Sequence, residues 1–253
     1  MSLLGLQRTG SGPVVVWLHG FTQTKNSAYV FRSTLAHSFD VVTIDLPGHG
    51  DNWAQRASLS ETATLLAEVL PCDPFVLAGY SMGARVALHF ALAYPDRLRS
   101  LLLVSATLGI EDETERRSRR ERDETLAAHA LEVGGPTFLA EWLAQPLFTG
   151  SAIDDRERRS RSLEASGLAD SLRSAGTGTQ RWLGERAAAI ALPTTVVVGE
   201  RDVKFVREGQ RIVDLVANSR LVVVAGAGHA VHLDAPHEVA RVFDSLGEVE
   251  VTR

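Results

Sequence analysis

The sequence predicts an α/β fold: a mostly parallel central sheet with helices on both faces and a helical insertion. Three observations predict it. Short continuous apolar runs, of the kind that form strands buried on both faces, alternate with helix-compatible stretches at crossover spacing. One of these runs, residues 75–78, leads through Gly79-Tyr80-Ser81-Met82-Gly83 into 85–93, a good helix former, so that a serine sits at the apex of a strand–turn–helix unit. Two later strands are followed at once by residues that serve serine chemistry, Asp202 and His229.

At 253 residues and 45% hydrophobic, the chain has material for one well-buried domain carrying an insertion, and it shows no second set of core strands. A net charge of −5 argues against a nucleic-acid partner. No stretch approaches the roughly 20 consecutive apolar residues of a membrane span. Residues 1–12 lack the basic and apolar regions of a signal peptide. The single cysteine, Cys72, permits no internal disulfide, fits a reducing compartment and reads as a small apolar filler before the central strand. There is no Cys/His cluster at zinc-ligand spacing and no phosphate-binding glycine fingerprint. The expectation is a cytoplasmic protein that uses neither metal nor cofactor.

Residues 14–18 form the first strand, ending in His19-Gly20-Phe21-Thr22. The next strand, 41–46, is closed by Pro47-Gly48-His49-Gly50, a supporting loop with His49 at most at the edge of a pocket. Ser58-Leu59-Ser60-Glu61 is a capping box for a helix running to about Leu70, where Pro71 stops it. The serine unit follows, and then a strand at 101–105. From Gly109 to about Ile190 strand-like runs disappear and arginine is abundant. Here 111–130 is charged and helix-compatible, Gly134-Gly135-Pro136 breaks it, 138–143 is more apolar, and 154–163 and 168–174 read as further helices. The expected organisation is a helical cap at 109–190, roofing Ser81, inserted in a core made of 1–108 and 191–253. The sheet resumes at 195–199, a helix covers 206–217, the last strand is 221–224, and 236–246 is the closing helix.

Glycines at 79 and 83 are what the serine turn needs, because a Cβ beside the strained serine would clash with neighbouring backbone. Such a unit is the nucleophile elbow of an α/β-hydrolase fold. The helix behind Ser81 offers the free N–H of Met82 to an oxyanion. A strand ending in His-Gly supplies the other half of the hole, expected from the Phe21 N–H, with His19 in a structural role. The fold's chain order of serine, acid and histidine is met by Ser81, Asp202 and His229, all at one edge of the sheet. His229 would take the Ser81 proton and Asp202 would orient the imidazolium. His232 competes for the role of base but lacks the Gly-x-Gly approach. Among the arginines, Arg116, Arg117, Arg119, Arg120 and Arg122 alternate with glutamates, as on a solvated face laced by pairs such as Glu115 to Arg119. Arg85 differs: it falls in the first turn behind Ser81, facing the pocket, where a cation is costly unless paired or met by an anionic substrate.

Gly79-Tyr80-Ser81-Met82-Gly83-Ala84-Arg85 resembles the elbow of the 2-succinyl-6-hydroxy-2,4-cyclohexadiene-1-carboxylate synthases, lyases of menaquinone biosynthesis. Similar segments are 18–23, 45–50, Trp142-Leu143-Ala144-Gln145-Pro146-Leu147-Phe148, Gly176-Thr177-Gly178-Thr179-Gln180 and Gly199-Glu200-Arg201-Asp202-Val203-Lys204-Phe205. Ala84 departs from the glycine usual there, though it is small enough to keep the turn. The resemblance implies elimination of pyruvate from an anionic small molecule bearing several carboxylates. It places the triad on Ser81, Asp202 and His229, and substrate binding on Arg85, Arg119 and Trp142, with Tyr80 and Lys204 as further contacts. Arg161 is a candidate for another cap arginine. The same triad also serves serine esterases and C–C bond hydrolases, and a hydrolase-fold receptor can retain one, so the residues leave these readings open. Arg85 favours the lyase, since simple esterases usually keep an apolar residue facing the acyl site.

Overall fold

The computed structural model describes residues 4–247; the expected core limits at 1 and 253, and the first residues of the 1–12 segment, lie outside them. Seven strands form one sheet in the order β1-β3-β2-β4-β5-β6-β7. They are β1 (Leu6–Thr9), β2 (Val14–Leu18), β3 (Asp40–Ile44), β4 (Phe75–Tyr80), β5 (Leu98–Val104), β6 (Thr194–Gly199) and β7 (Ser219–Val224). Only β1 runs antiparallel, pairing Leu6 with Ile44 at the sheet edge. Its four residues are all exposed, which is why it carries no apolar signature in the sequence.

The apolar runs are buried on both faces. Leu77, Leu101, Leu103, Val196 and Val198 face one helical layer with α2 (Leu59–Val69), α3 (Met82–Ala93) and α9 (Val203–Leu215). Val76, Ala78, Tyr80, Leu102 and Val197 face the other, with α1 (Tyr29–Leu35), α10 (Val231–Asp234) and α11 (Pro236–Gly247). The Ser58–Glu61 capping box is formed as the sequence implies. Strand β3 ends at Ile44, two residues short of expectation. There the Asp45 carboxylate turns back to accept the N–H groups of Lys25 and Asp51, closing the following loop. Helix α1 has no side-chain N-cap and is rich in β-branched and aromatic residues, so no start signal announced it. Cys72 is exposed in the loop before β4 and fills no core space, contrary to expectation.

Between β5 and β6 the described elements are all helical: α4 (Glu113–Val133), α5 (Gly135–Leu143), α6 (Asp155–Arg159), α7 (Ala165–Ala175) and α8 (Gly184–Ala187), with a 3-10 turn at Pro146–Phe148. Phe138, Ala127, Ala130, Leu168 and Leu172 give this layer its own small core, against which Phe21 of the sheet loop packs. Leu183, Ala187 and Ile190 already belong to the main core. Helix α6 stops well before Leu163 because Ser160 and Ser162 leave the helix to bond residues 22–27: Thr24 Oγ1 donates to the Ser160 carbonyl and the Ser162 N–H to the Thr22 carbonyl. No described helix is long and apolar enough to cross a membrane.

The elbow rests on close backbone approach. A Cβ on Gly79 would lie 2.5 Å from the Gly83 carbonyl carbon, and one on Gly83 would overlap the carbonyl oxygens of Leu18 and His19 at the end of β2. Gly83→Ala should therefore cost about 2–4 kcal/mol or abolish folding, because backbone cannot yield as a flexible side chain would. Urea unfolding of the purified variant checks this, and unchanged stability would disprove the close packing.

Candidate active site

Ser81 follows β4 with φ 50° and ψ −104°, a conformation L residues rarely adopt, and α3 begins at the next residue. Asp202 follows β6 and also caps α9, its Oδ1 accepting the Phe205 N–H at 3.3 Å. His229 lies in the loop after β7. Its Nδ1 is 2.7 Å from Asp202 Oδ2 and its Nε2 3.2 Å from Ser81 Oγ. With the carboxylate accepting the Nδ1 proton, Nε2 is left as the acceptor for the serine proton. His229 is only 3% exposed, held between the rings of Phe205 at 4.4 Å and Tyr80 at 5.3 Å. Ser105, which the sequence did not mark, steadies the same loop: at φ 49° after β5, its hydroxyl donates to the His229 carbonyl at 2.7 Å.

His232 is fully buried elsewhere. Its Nε2 is 3.1 Å from the Gln23 amide and its ring lies 4.3 Å from Tyr80. Burial first, then Arg161 and His229, hold its pKa well below the ordinary value. Tyr80 also departs from expectation. It lines none of the cavity beside Ser81, because alternation along β4 turns it to the opposite face from the α3 layer. Burial raises its pKa.

The His19–Thr22 loop is pinned by histidines. His19 Nε2 accepts the Leu46 N–H at 3.0 Å, so its Nδ1 donates to the Gly20 carbonyl at 2.8 Å. His49 Nε2 accepts the Thr22 N–H at 3.1 Å while its Nδ1 donates to the Pro47 carbonyl. His49 is therefore a fully buried brace and not a pocket-edge residue. Between these fixed neighbours the Phe21 N–H has no protein partner among the described residues. The Met82 N–H opens α3 and has no intrahelical acceptor.

Phe21, Ser81, Met82, Arg85, Ser105, Arg119, Trp142, Lys204 and His229 all line one cavity of about 160 Å³. It continues into a charged vestibule of about 770 Å³ bordered by Arg119, Arg122, Trp142 and Lys204. Arg85 is 7% exposed and, among the described residues, forms no ion pair. Its Nη1 donates to the Ala175 carbonyl at 2.8 Å and, at 3.4 Å, to Gln180 Oε1. Desolvation, then the nearby Arg119, lower its pKa to about 10 against the pull of Asp123. Arg119 pairs with the buried Asp123 at 2.8 Å and not with Glu115 as the charge pattern suggested. The i,i+4 partner toward the C-terminus lies on the face packed against the core, which charge alternation does not reveal. Trp142 packs 4.9 Å from Phe21 and keeps a buried Nε1–H without a partner. Arg161 lines none of this cavity. It pairs with Glu157 at 3.0 Å and donates to Thr22 Oγ1 at 2.9 Å.

A family model described as the alpha/beta hydrolase family matches residues 15–242. A Bacillus subtilis (strain 168) protein, provisionally named a 2-succinyl-6-hydroxy-2,4-cyclohexadiene-1-carboxylate synthase, is 38% identical, over 92% of this chain and 89% of its own. The Yersinia enterocolitica protein of that name is 29% identical over 94% and 88%. Among solved structures, MenH from S. aureus superposes with a TM-score of 0.89 at 29% identity, covering 97% of this chain and 98% of its own. A thermophilic esterase from Thermogutta terrifontis superposes at 0.77 with 26% identity, covering 96% and 92%.

The loop braces fix a pH dependence. Burial and the neighbouring His19 lower the pKa of His49 from 6.5 to about 3. Between these values the unfolded chain binds a proton that the folded protein refuses. The contribution of His49 to stability is thus full above about pH 6.5 and is lost as pH drops toward 3. His49→Gln should flatten that fall, as read from urea midpoints between pH 7 and 4. An unchanged slope would mean that the brace does not titrate.

Proposed function

The chain belongs to the alpha/beta hydrolase family, and we propose that it is a carbon–oxygen lyase of menaquinone biosynthesis. It eliminates pyruvate from 2-succinyl-5-enolpyruvyl-6-hydroxy-3-cyclohexene-1-carboxylate to give 2-succinyl-6-hydroxy-2,4-cyclohexadiene-1-carboxylate. The names of the relatives support this reading, and one observation in this chain carries it: Arg85 is buried beside the serine and, among the described residues, has no carboxylate in ion-pair contact. A desolvated, uncompensated guanidinium is costly unless the ligand brings the anion, and the substrate brings three carboxylates.

In this reading His229 deprotonates Ser81 while Asp202 holds the imidazole. The serine alkoxide removes a ring proton, and the charge that develops on the succinyl carbonyl is met by the N–H groups of Phe21 and Met82. Electrons shift through the ring and the C–O bond to the enolpyruvyl group breaks. The departing enolpyruvate takes up a proton and becomes pyruvate, so no covalent intermediate is needed and no water is consumed. Arg85 and Arg119 bind carboxylates, Trp142 presents its free Nε1–H, and Lys204 stands at the vestibule. The segment 109–190 acts as a cap that keeps water from the reacting carbons. A cytoplasmic location and an anionic small-molecule substrate belong to the same proposal.

Pyruvate release from this substrate, followed by a coupled assay, should be proportional to time and without a burst. Acid-quenched enzyme should carry no substrate-derived mass on Ser81. A trapped serine adduct, or strong hydrolysis of p-nitrophenyl esters without pyruvate release, would instead establish the esterase reading that the Thermogutta neighbour represents.

Arg85→Ala should cost about 2–5 kcal/mol in kcat/KM, with a smaller loss for the half-exposed Arg119 and almost none for the outward-facing Arg117. Equal small effects at all three would remove the charge argument. Ser81→Ala, Asp202→Asn and His229→Ala should each lower kcat by about 10³-fold or more. Near-full activity of His229→Ala would move the base to another residue.

A further inference from the structure

Gln23 is buried to 0% exposure beside the His19–Thr22 loop, and both the oxygen and the nitrogen of its side-chain amide are hydrogen-bonded. Its Oε1 accepts the Gly20 N–H at 3.0 Å. Its Nε2 lies 3.1 Å from Glu157 Oε1 and 3.1 Å from His232 Nε2, so its two N–H groups go to a cap carboxylate and to the histidine three residues beyond His229. The amide orientation is thereby fixed, since a flipped amide would set its NH2 against the Gly20 N–H. Glu157 is held in turn, accepting the Ala28 N–H at 2.7 Å on Oε2 and Arg161 Nη2 at 3.0 Å on Oε1. Arg161 reaches Thr22 Oγ1, and the Ser162 N–H donates to the Thr22 carbonyl at 2.8 Å. Thr22 itself sits at φ 67°, a strained position that persists only where its surroundings hold it.

We infer that Gln23 is a positioning residue for the reaction: through Gly20 it aims the free Phe21 N–H at the developing oxyanion, and through Glu157 and His232 it locks that aim to the cap and to the histidine loop. The backbone groups on both sides of Phe21 are committed: Gly20 N–H to Gln23, Gly20 C=O to His19 and the Gln23 N–H, Thr22 N–H to His49, and Thr22 C=O to Ser162. Among the described residues the Phe21 N–H is the one backbone donor of Gly20–Thr22 left without a partner. A donor preset in this way stabilises charge without reorganising, and a misplacement of about 1 Å can cost 100-fold. The oxyanion hole is then a joint product of core and cap, and α6 contributes to catalysis without touching substrate. The inference rests on the assignment of the Phe21 N–H to the oxyanion hole made above.

The test compares steady-state kinetics of wild type and Gln23→Met, a side chain of similar length without the amide, with circular dichroism and thermal melts alongside. The expected result is a fall in kcat of about 10–100-fold with KM changed by less than about threefold, since a displaced donor weakens the transition state and not ground-state binding. A folded Gln23→Met with kcat within about twofold of wild type overturns the inference, however much its melting point drops. If that variant does not fold, Glu157→Gln replaces it, because it keeps the shape but sets a donor against either the Ala28 N–H or the Gln23 amide. A fall in kcat of about 3–10-fold at steady KM supports the inference and an unchanged kcat overturns it. Should wild type release no pyruvate, the proposed function fails by itself. The same comparison then runs on whichever p-nitrophenyl ester the enzyme cleaves, whose tetrahedral oxyanion calls on the same N–H.

Discussion

The site depends on a contact that only a missing side chain allows. Gly83 lets α3 seat its N-terminus directly on the carbonyls that end β2. That seat brings the N-terminus of α3 beside the His19–Thr22 loop, and Phe21, Ser81 and Met82 line one cavity. The strain this leaves in Ser81 is over-determined by its surroundings: its N–H donates to the Val104 carbonyl at 2.9 Å and its carbonyl accepts the Arg85 N–H at 3.1 Å. Ser105 repeats the device at the next strand end, with φ 49° and an N–H bonded to Val197. Ser81 and the His229 loop are thus both set by strained serines that directly follow adjacent strands.

Two buried arginines show how the same charge serves different ends. Arg161 has a carboxylate at 3.0 Å, a hydroxyl partner, and a place outside the cavity. Its charge is compensated within the protein, and it works as a clamp between cap and loop. Arg85 has only a carbonyl and an amide oxygen, and Arg119 nearby adds repulsion. The dipoles of those two acceptors soften the desolvation cost without cancelling the charge. The folded protein thus keeps an incomplete ion pair beside Ser81, and in the proposed function that incompleteness is a specificity device. A neutral ester gains nothing from it, whereas a carboxylate supplies the missing half.

Much of this was legible in the sequence. Buried parallel strands read as unbroken apolar runs, and a residue that directly follows such a run emerges at a known edge of the sheet. The runs at 75–78 and 195–199, with the Gly226-Ala227-Gly228 approach to His229, therefore pointed to three side chains that the structure brings within hydrogen-bonding distance. What stayed hidden was orientation and neighbourhood. Tyr80 is one residue from Ser81 yet belongs to the opposite face, which depends on the strand's register. Asp123 and Glu115 are both charged neighbours of Arg119, and only the packing of α4 against α7 decides between them. Gln23 and Glu157 stand 134 positions apart, and no local pattern joins them. Strand β1 and helix α1 lack the periodicity or caps that announce an element.

Given the same serine, histidine and oxyanion donors, the proposed elimination and an ester hydrolysis differ in what the serine oxygen meets. A nucleophile needs a carbonyl carbon within reach and a path for water to release the acyl group. A base needs an acidic C–H held at that distance, and water only competes for the proton. The cavity beside Ser81 is small, about 160 Å³, and Phe21 and Trp142 form one of its walls. Its charged lining is cationic: Arg85, Arg119 and Lys204. In the proposed elimination, a ring fixed by its carboxylates on Arg85 and Arg119 has a set atom facing Ser81, and that choice, not the strength of the base, directs the chemistry. On that proposal the triad is generic, while the positions of charge around it select the bond that breaks.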